Sequence, residues 1–172
     1  MKKAIMIFMF NLVLLAAGPF GLELGKSTID EVKNKLDCKY ETSQIIDGVY
    51  PNNGYYLSYK SCSVIDDMTS VDFAFNDDGI LVYAAIIFDG KPSYKTLKAS
   101  LSSKYKITKN VEPFVGDRLS EYALNGEKII LSSPHLSFNT YLNYEQIDFM
   151  QRVKKAQAKA KQEKQNQTTN ML

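Results

Sequence analysis

The sequence predicts an α+β fold: two helix-plus-antiparallel-strand units packed together, followed by a helical tail. Three observations carry that prediction. Two amphipathic segments begin at helix-start residues, Ser27-Thr28 and Ser93. Each is followed by several short segments rich in β-branched and aromatic residues, separated by Gly, Asn, Asp and Pro. An offset of 65 residues superposes the two amphipathic segments: Thr28 falls on Ser93, Val32 on Leu97, Lys33 on Lys98, and Leu36 on Leu101. Lys39-Tyr40 likewise falls on Lys104-Tyr105. A helix leading into a meander, met twice, reads as an internal duplication covering 22–90 and 91–150.

In the first unit, Ser27 or Thr28 can cap the helix, and Asp30 and Glu31 fall in its first turn, where the helix dipole favours negative charge. Ile29, Val32 and Leu36 share one face at spacings of three and four. Strands are expected at 41–46, 55–61, 71–75 and 80–88, with a turn in DGVYPNNG at 47–54. Val71, Phe73 and Phe75 alternate as in a half-buried strand, whereas ILVYAAIIF is continuously apolar and predicts a central strand covered on both faces.

Between those two strands stands Asn76-Asp77-Asp78-Gly79, which has the composition of a cation loop but not its spacing. A calcium loop needs acidic ligands at alternating positions and a closing glutamate at the twelfth. Counted from Asp72, Ala74 and Asn76 break the acidic series, and no glutamate closes it. Asn, Asp and Gly tolerate the positive φ of tight turns, so the tetrapeptide predicts a hairpin turn.

The second unit opens with PSYKTLKASLSSKYK, capped by Ser93, with Tyr94, Leu97, Leu101 and Tyr105 on one face. Strands are expected at 106–111, 119–124, 128–132 and 137–144, with Asn125-Gly126 as a two-residue hairpin connection.

The chain ends have a different character. Lys2 and Lys3 precede an apolar stretch at 4–15, broken only by Asn11, and then the small residues Ala16, Ala17 and Gly18. That is the layout of a secretory signal peptide, with cleavage expected after Ala17 and residues 1–17 removed. The apolar run is short for a membrane span; retained, it would act as an N-terminal anchor. No cysteine stands at the junction to carry a lipid. The expected location is periplasmic or secreted.

Charge is unevenly divided. The stretch 22–150 carries thirteen basic and eighteen acidic side chains, a net −5, whereas 151–172 carries six basic against the single acid Glu163, a net +5. The domain 18–150 thus precedes a basic helical or disordered tail at 151–172, in which Arg152, Lys154, Lys155, Lys159 and Lys161 form a candidate electrostatic contact. Ile147, Met150 and Val153 share a helical face that would dock the start of this tail. Its Ala, Lys and Gln favour a helix, and its lack of aromatics excludes base stacking, so nucleic acid is not an expected partner. Anionic lipid is a partner the tail could contact weakly.

Two cysteines occur, Cys38 and Cys62, and an even pair in an exported protein predicts a disulfide. Their spacing is not that of a CxxC redox pair, and two thiols alone make a poor zinc site. Asp66-Asp67 and Asp77-Asp78 are paired carboxylates that could converge as acid and base in a hydrolase, the alternative to a binding role. His135 is the single histidine, set in SSPHLS without a GxSxG elbow, and no phosphate-binding, dinucleotide or HExxH pattern occurs. No cofactor and no catalysis are expected. The aromatics are more informative: Tyr50, Tyr55, Tyr56 and Tyr59 cluster in the first unit and Tyr122, Phe138, Tyr141 and Tyr144 in the second. Tyrosine suits interfaces, so Tyr55, Tyr56, Tyr59, Tyr122 and Tyr141 are candidate partner-binding residues on a sheet.

The stretch GLELGKSTIDEVKNKL, a glycine-rich lead into a Ser/Thr-x-x-Glu-Val helix, resembles the helix-start pattern of small bacterial envelope proteins. These are the outer-membrane lipoprotein A and β-lactamase inhibitor protein types. The local match covers about 16 residues, and the topological match most of the body. The chain departs from the first type in lacking its lipidated cysteine. The resemblance implies tandem helix-and-strand repeats and a non-catalytic role, binding another envelope or secreted protein through the concave face of the sheet as inhibitor, immunity or assembly-accessory protein. It transfers no functional residue.

Overall fold

The computed structural model describes residues 18–44, 54–124 and 126–171. The leader at 1–17 and most of the turn at 47–54 lie outside the described residues, as does Asn125.

The fold is α+β, built on one eight-stranded antiparallel sheet. A 3₁₀ turn at Pro19–Gly21 precedes α1 (Ile29–Lys35) and four strands: β1 (Tyr40–Gln44), β2 (Tyr55–Lys60), β3 (Met68–Phe75) and β4 (Leu81–Asp89). Then come α2 (Pro92–Ser102), β5 (Lys106–Val111), β6 (Arg118–Leu124), β7 (Glu127–Ser133), β8 (Asn139–Gln146) and α3 (Ile147–Met171). The spatial order is β1-β2-β3-β4-β8-β7-β6-β5, so the two meanders meet at a β4–β8 seam running from Tyr83↔Glu145 to Asp89↔Asn139.

Strand alternation sorts the side chains onto two faces. Leu57, Tyr59, Val71, Phe73, Ala84, Ile86, Tyr122, Ile129, Leu131 and Leu142 are buried on one face, where Val32 of α1 and Tyr94 and Leu101 of α2 close one continuous core. Each large side chain so buried contributes about 1.5–3 kcal/mol of transfer free energy. The opposite face bears Tyr56, Ser58, Asp72, Ala85, Ile87, Ile130, Tyr141 and Asn143, all half-buried. The apolar run of β4 therefore alternates instead of being covered throughout: Ala85 and Ile87 face the uncovered side.

Local chemistry explains the element ends. Thr28 caps α1 with a full capping box: its hydroxyl accepts the Glu31 N–H at 3.3 Å, and the Glu31 carboxylate accepts the Thr28 N–H at 2.9 Å. The expected cap Ser93 lies inside α2, which starts one residue earlier because Pro92 supplies a helical φ at the first position. The Ser93 hydroxyl instead donates to the Asp89 carbonyl (3.2 Å) and to Asp67 Oδ2 (3.1 Å). The tetrapeptide Asn76-Asp77-Asp78-Gly79 is the β3–β4 turn. Asn76 Oδ1 accepts the N–H groups of Asp78 and Ile80, and Gly79 takes φ +72°. β6 and β7 pair as the expected hairpin, with Leu124 opposite Glu127 and Gly126 at φ +86°; Asn125 of that expected connection lies outside the described residues.

A register shift in β3–β4 has a larger effect. Ala74 pairs with Tyr83 but Phe75 with Leu81, which leaves Val82 as an extra residue. Val82 leaves the main core and packs with Phe149 and Val153 of α3, bordered by Tyr83 and Met150. The docking face of α3 is thus Phe149, Met150 and Val153; Ile147, expected on it, is exposed. The basic stretch from Arg152 continues this docked helix to Met171.

Candidate interaction surface

The five candidate tyrosines do not share one surface. Tyr59 and Tyr122 are 0 % exposed and belong to the core. The Tyr122 hydroxyl donates to the Lys98 carbonyl (3.4 Å) and pairs with Ser102 Oγ (3.2 Å), which fastens α2 to β6. Tyr59 stacks edge-on against Phe73 at 5.9 Å, and burial raises its phenol above the ordinary range, with Tyr40 adding to the shift. Neither ring can meet a partner in this fold. Tyr55 is exposed at the start of β2 on the helix-side phase, and Tyr56 and Tyr141 sit half-buried on the opposite face.

Two loops at one end of the sheet carry what the tyrosine pattern did not show. The β5–β6 connection presents Phe114, wholly exposed, and Val115; the β7–β8 connection presents Leu136 and Phe138, 92 % and 85 % exposed. The loops are cross-tied. Asp117 Oδ1 accepts the His135 N–H at 2.7 Å, and the Lys91 ammonium donates to the His135 carbonyl at 2.8 Å. Gly116 at φ +132° allows the first loop to fold back on Pro113. The Ser137 and Tyr141 hydroxyls lie 3.3 Å apart, so the apolar loop end is continuous with the uncovered face. Large apolar side chains presented together on rigid loops mark interaction sites in soluble proteins. The sequence signal was there: Phe114-Val115 sits between Pro113 and Gly116, and Leu136 follows Pro134-His135, both in turn-rich segments with no strand face to fill.

The alternative catalytic constellation does not form. Asp66-Asp67 precedes β3 and Asp77-Asp78 follows it, and eight extended residues span about 24 Å, well beyond the separation of paired catalytic carboxylates. Asp67 is held by Asp89 and Ser93. His135 makes its hydrogen bonds through its backbone. Among the described residues no group of three or more His, Cys, Asp or Glu could hold a metal.

Charge on the structure is more engaged than the tail pattern implied. Burial raises the Glu145 carboxyl above its usual range, opposed by Lys128 and by Lys154 of α3, with Glu121 adding to the rise. Lys154 therefore already faces an acid of the sheet. Lys159 lies 3.9 Å from Glu163 along the helix, while Arg152, Lys155 and Lys161 are exposed. Burial, helped by Glu23 and opposed by Lys26, pushes the Glu127 carboxyl up to about 7, and its Oε2 has no hydrogen-bond partner among the described residues.

Cys38 and Cys62 form the expected disulfide, with Cα atoms 5.8 Å apart, and Cys62 is fully buried. Such a bond fits an oxidising compartment. No described helix is long and apolar enough to cross a membrane. What fold and surface define is an α+β domain with an apolar loop end and one sheet face that α1 and α2 leave open and α3 covers at Tyr83. No protein-family model matches the chain, and no curated protein or solved structure is significantly similar to it.

Proposed function

We propose that the protein is an exported, non-catalytic module that binds another envelope or secreted protein. The loop end carrying Phe114, Val115, Leu136 and Phe138 makes the central contact. Its exposure is the observation that supports this reading most: three large apolar side chains stand almost wholly in water on two cross-tied loops. Tyr141 and the half-buried Ile87 and Ile130 extend the contact onto the uncovered face. Buried apolar anchors at the centre of an interface supply most of its energy, with polar groups around them excluding water. The repeated order of one helix and four strands supports the duplicated ancestry implied by the resemblance. Arg152, Lys155, Lys161 and Lys164 are the tail cations left to serve as an auxiliary electrostatic contact.

The test compares wild type with the triple variant Phe114→Ser, Leu136→Ser, Phe138→Ser in crosslinking to envelope and secreted fractions. These surface changes should alter stability by no more than about 0.5 kcal/mol each. Loss of a discrete crosslinked species in the triple variant alone supports the reading. A species that persists in the variant and disappears on truncation after Ala156 moves binding to the tail.

A further inference from the structure

A second site lies on the other side of the sheet, between α2, the Pro19–Gly21 turn and the central seam. It is a cleft of about 470 Å³, within the roughly 300–1,000 Å³ range of small-molecule sites. Its floor is made by Ile86 of β4 and Leu142 of β8, and its walls by Phe20, Ile65, Leu97 and Leu101. Polar atoms come from Ser100, Tyr105 and Tyr144, and the only charged side chain in the lining is Lys104.

Charge decides the kind of occupant. The body around this cleft is net negative, yet no carboxylate lines it. A second cation stands at the rim: the Lys35 ammonium lies 3.8 Å from where a Cβ on Gly21, another lining residue, would be. Among the described residues neither Lys35 nor Lys104 is within salt-bridge distance of an acid. The cleft thus combines an apolar floor, which favours hydrocarbon, with two uncompensated cations at its mouth, which favour an anion. Glu127 lies outside the lining, but its charge reaches the Tyr105 phenol and helps to raise it.

We infer that this cleft binds a single-chain amphiphile with an anionic head, a long-chain carboxylate, with its chain on Ile86 and Leu142 and its head at Lys104. The site is separate from the loop end and does not depend on the protein-binding reading. α2 and the Pro19–Gly21 turn form its two lips.

Calorimetric titration of the full chain with dodecanoate, below its micellar concentration, is the direct test, with dodecyltrimethylammonium as the cationic control of equal chain length. Saturable binding of one dodecanoate per chain and no saturable binding of the cation are expected. Lys104→Glu, a change at an exposed position, should weaken dodecanoate about tenfold or more. Leu97→Trp, which fills the cleft, should abolish binding; Ser100→Trp does the same from an exposed rim position if Leu97→Trp fails to fold. The loop-end triple variant should bind dodecanoate as wild type does. Equal binding of both amphiphiles, unchanged affinity in Lys104→Glu, or no saturable binding would overturn the assignment. Self-association abolished by Leu97→Trp, with no dodecanoate bound, would also overturn it and make a second copy of the chain the occupant.

Discussion

The backbone N–H of Ile29, the first residue of α1, donates to the carbonyl of Gly79 at 3.0 Å. The β3–β4 turn therefore satisfies one of the amide groups that a helix start leaves unpaired. Leu81 N–H to Ser27 O (2.8 Å) and Gly25 N–H to Leu81 O (2.7 Å) continue the contact, so residues 25–29 run as a short extension along this turn. A sequence resembling a cation loop is here a seat for a helix.

Gly79→Ala should then destabilise the protein by about 1–2 kcal/mol. The cost comes from φ +72° and not from crowding, since an added Cβ would meet only Ile29 Cγ2 at 3.9 Å. Asn76→Ala, which removes the acceptor of two backbone amides, should cost about 1–3 kcal/mol. Urea denaturation measures both, and calcium should shift neither midpoint.

Glu127 gives stability a pH dependence of unusual sign for an acid. The folded chain holds its proton more tightly than the unfolded chain, so the stabilisation is complete below the ordinary carboxyl range. It is lost as pH rises from about 4.5 to about 7. Because the side chain is partly in contact with water, the loss should be on the order of 1–2 kcal/mol. Glu127→Gln should flatten this segment of the profile and exceed wild type in Tm at pH 8; a profile identical to wild type would refute the assignment.

Tyr59 and Tyr122, both buried, should respond differently to loss of the hydroxyl. The Tyr59 hydroxyl has no partner among the described residues, so Tyr59→Phe should be neutral or stabilising by up to about 1 kcal/mol. Tyr122→Phe removes the link to Lys98 and Ser102 and should cost about 1 kcal/mol. Equal effects in thermal melts would contradict the hydrogen-bond assignment.

Reduction of Cys38–Cys62 should lower stability by about 3 kcal/mol, because the bond closes a long loop in the unfolded chain. The double variant Cys38→Ala, Cys62→Ala should show the same loss without reductant. If dithiothreitol leaves the wild-type urea midpoint unchanged, the bond contributes no stability.

The strands were largely legible in the sequence because alternation in Val71, Phe73 and Phe75 is a direct image of a two-faced sheet. The faces themselves were not. Tyr55, Tyr56 and Tyr59 look equivalent in a row of letters, but period-two geometry sends Tyr59 inward and Tyr56 outward. Only the strand order decides which side a helix covers. The bulge at Val82 was invisible for a related reason. An apolar residue in an apolar run has no signature, although here it re-aims the side chain that anchors α3. The disulfide was legible because two cysteines with neither CxxC nor zinc-ligand spacing have few alternatives to pairing. The loop end was missed because Phe138 was grouped with the strand aromatics, and Phe114 and Leu136 match no periodic template.

The seam between β4 and β8 has a consequence for how quickly the chain can fold. Every other neighbouring pair in the sheet is a consecutive hairpin, formed by closing a short segment of chain. The seam alone joins strands whose nearest paired residues, Asp89 and Asn139, are about fifty positions apart. Loop-closure entropy concentrates at that step, so each meander can assemble early while the seam sets the rate. Substitutions at Ala85 or Asn143 should then act mainly on the folding limb of a chevron plot, whereas those in the outer hairpins should act mainly on unfolding. The rate at which the chain becomes safe from aggregation is thus set in the middle of the sheet, at the same Ile86–Leu142 pairing that floors the proposed cleft.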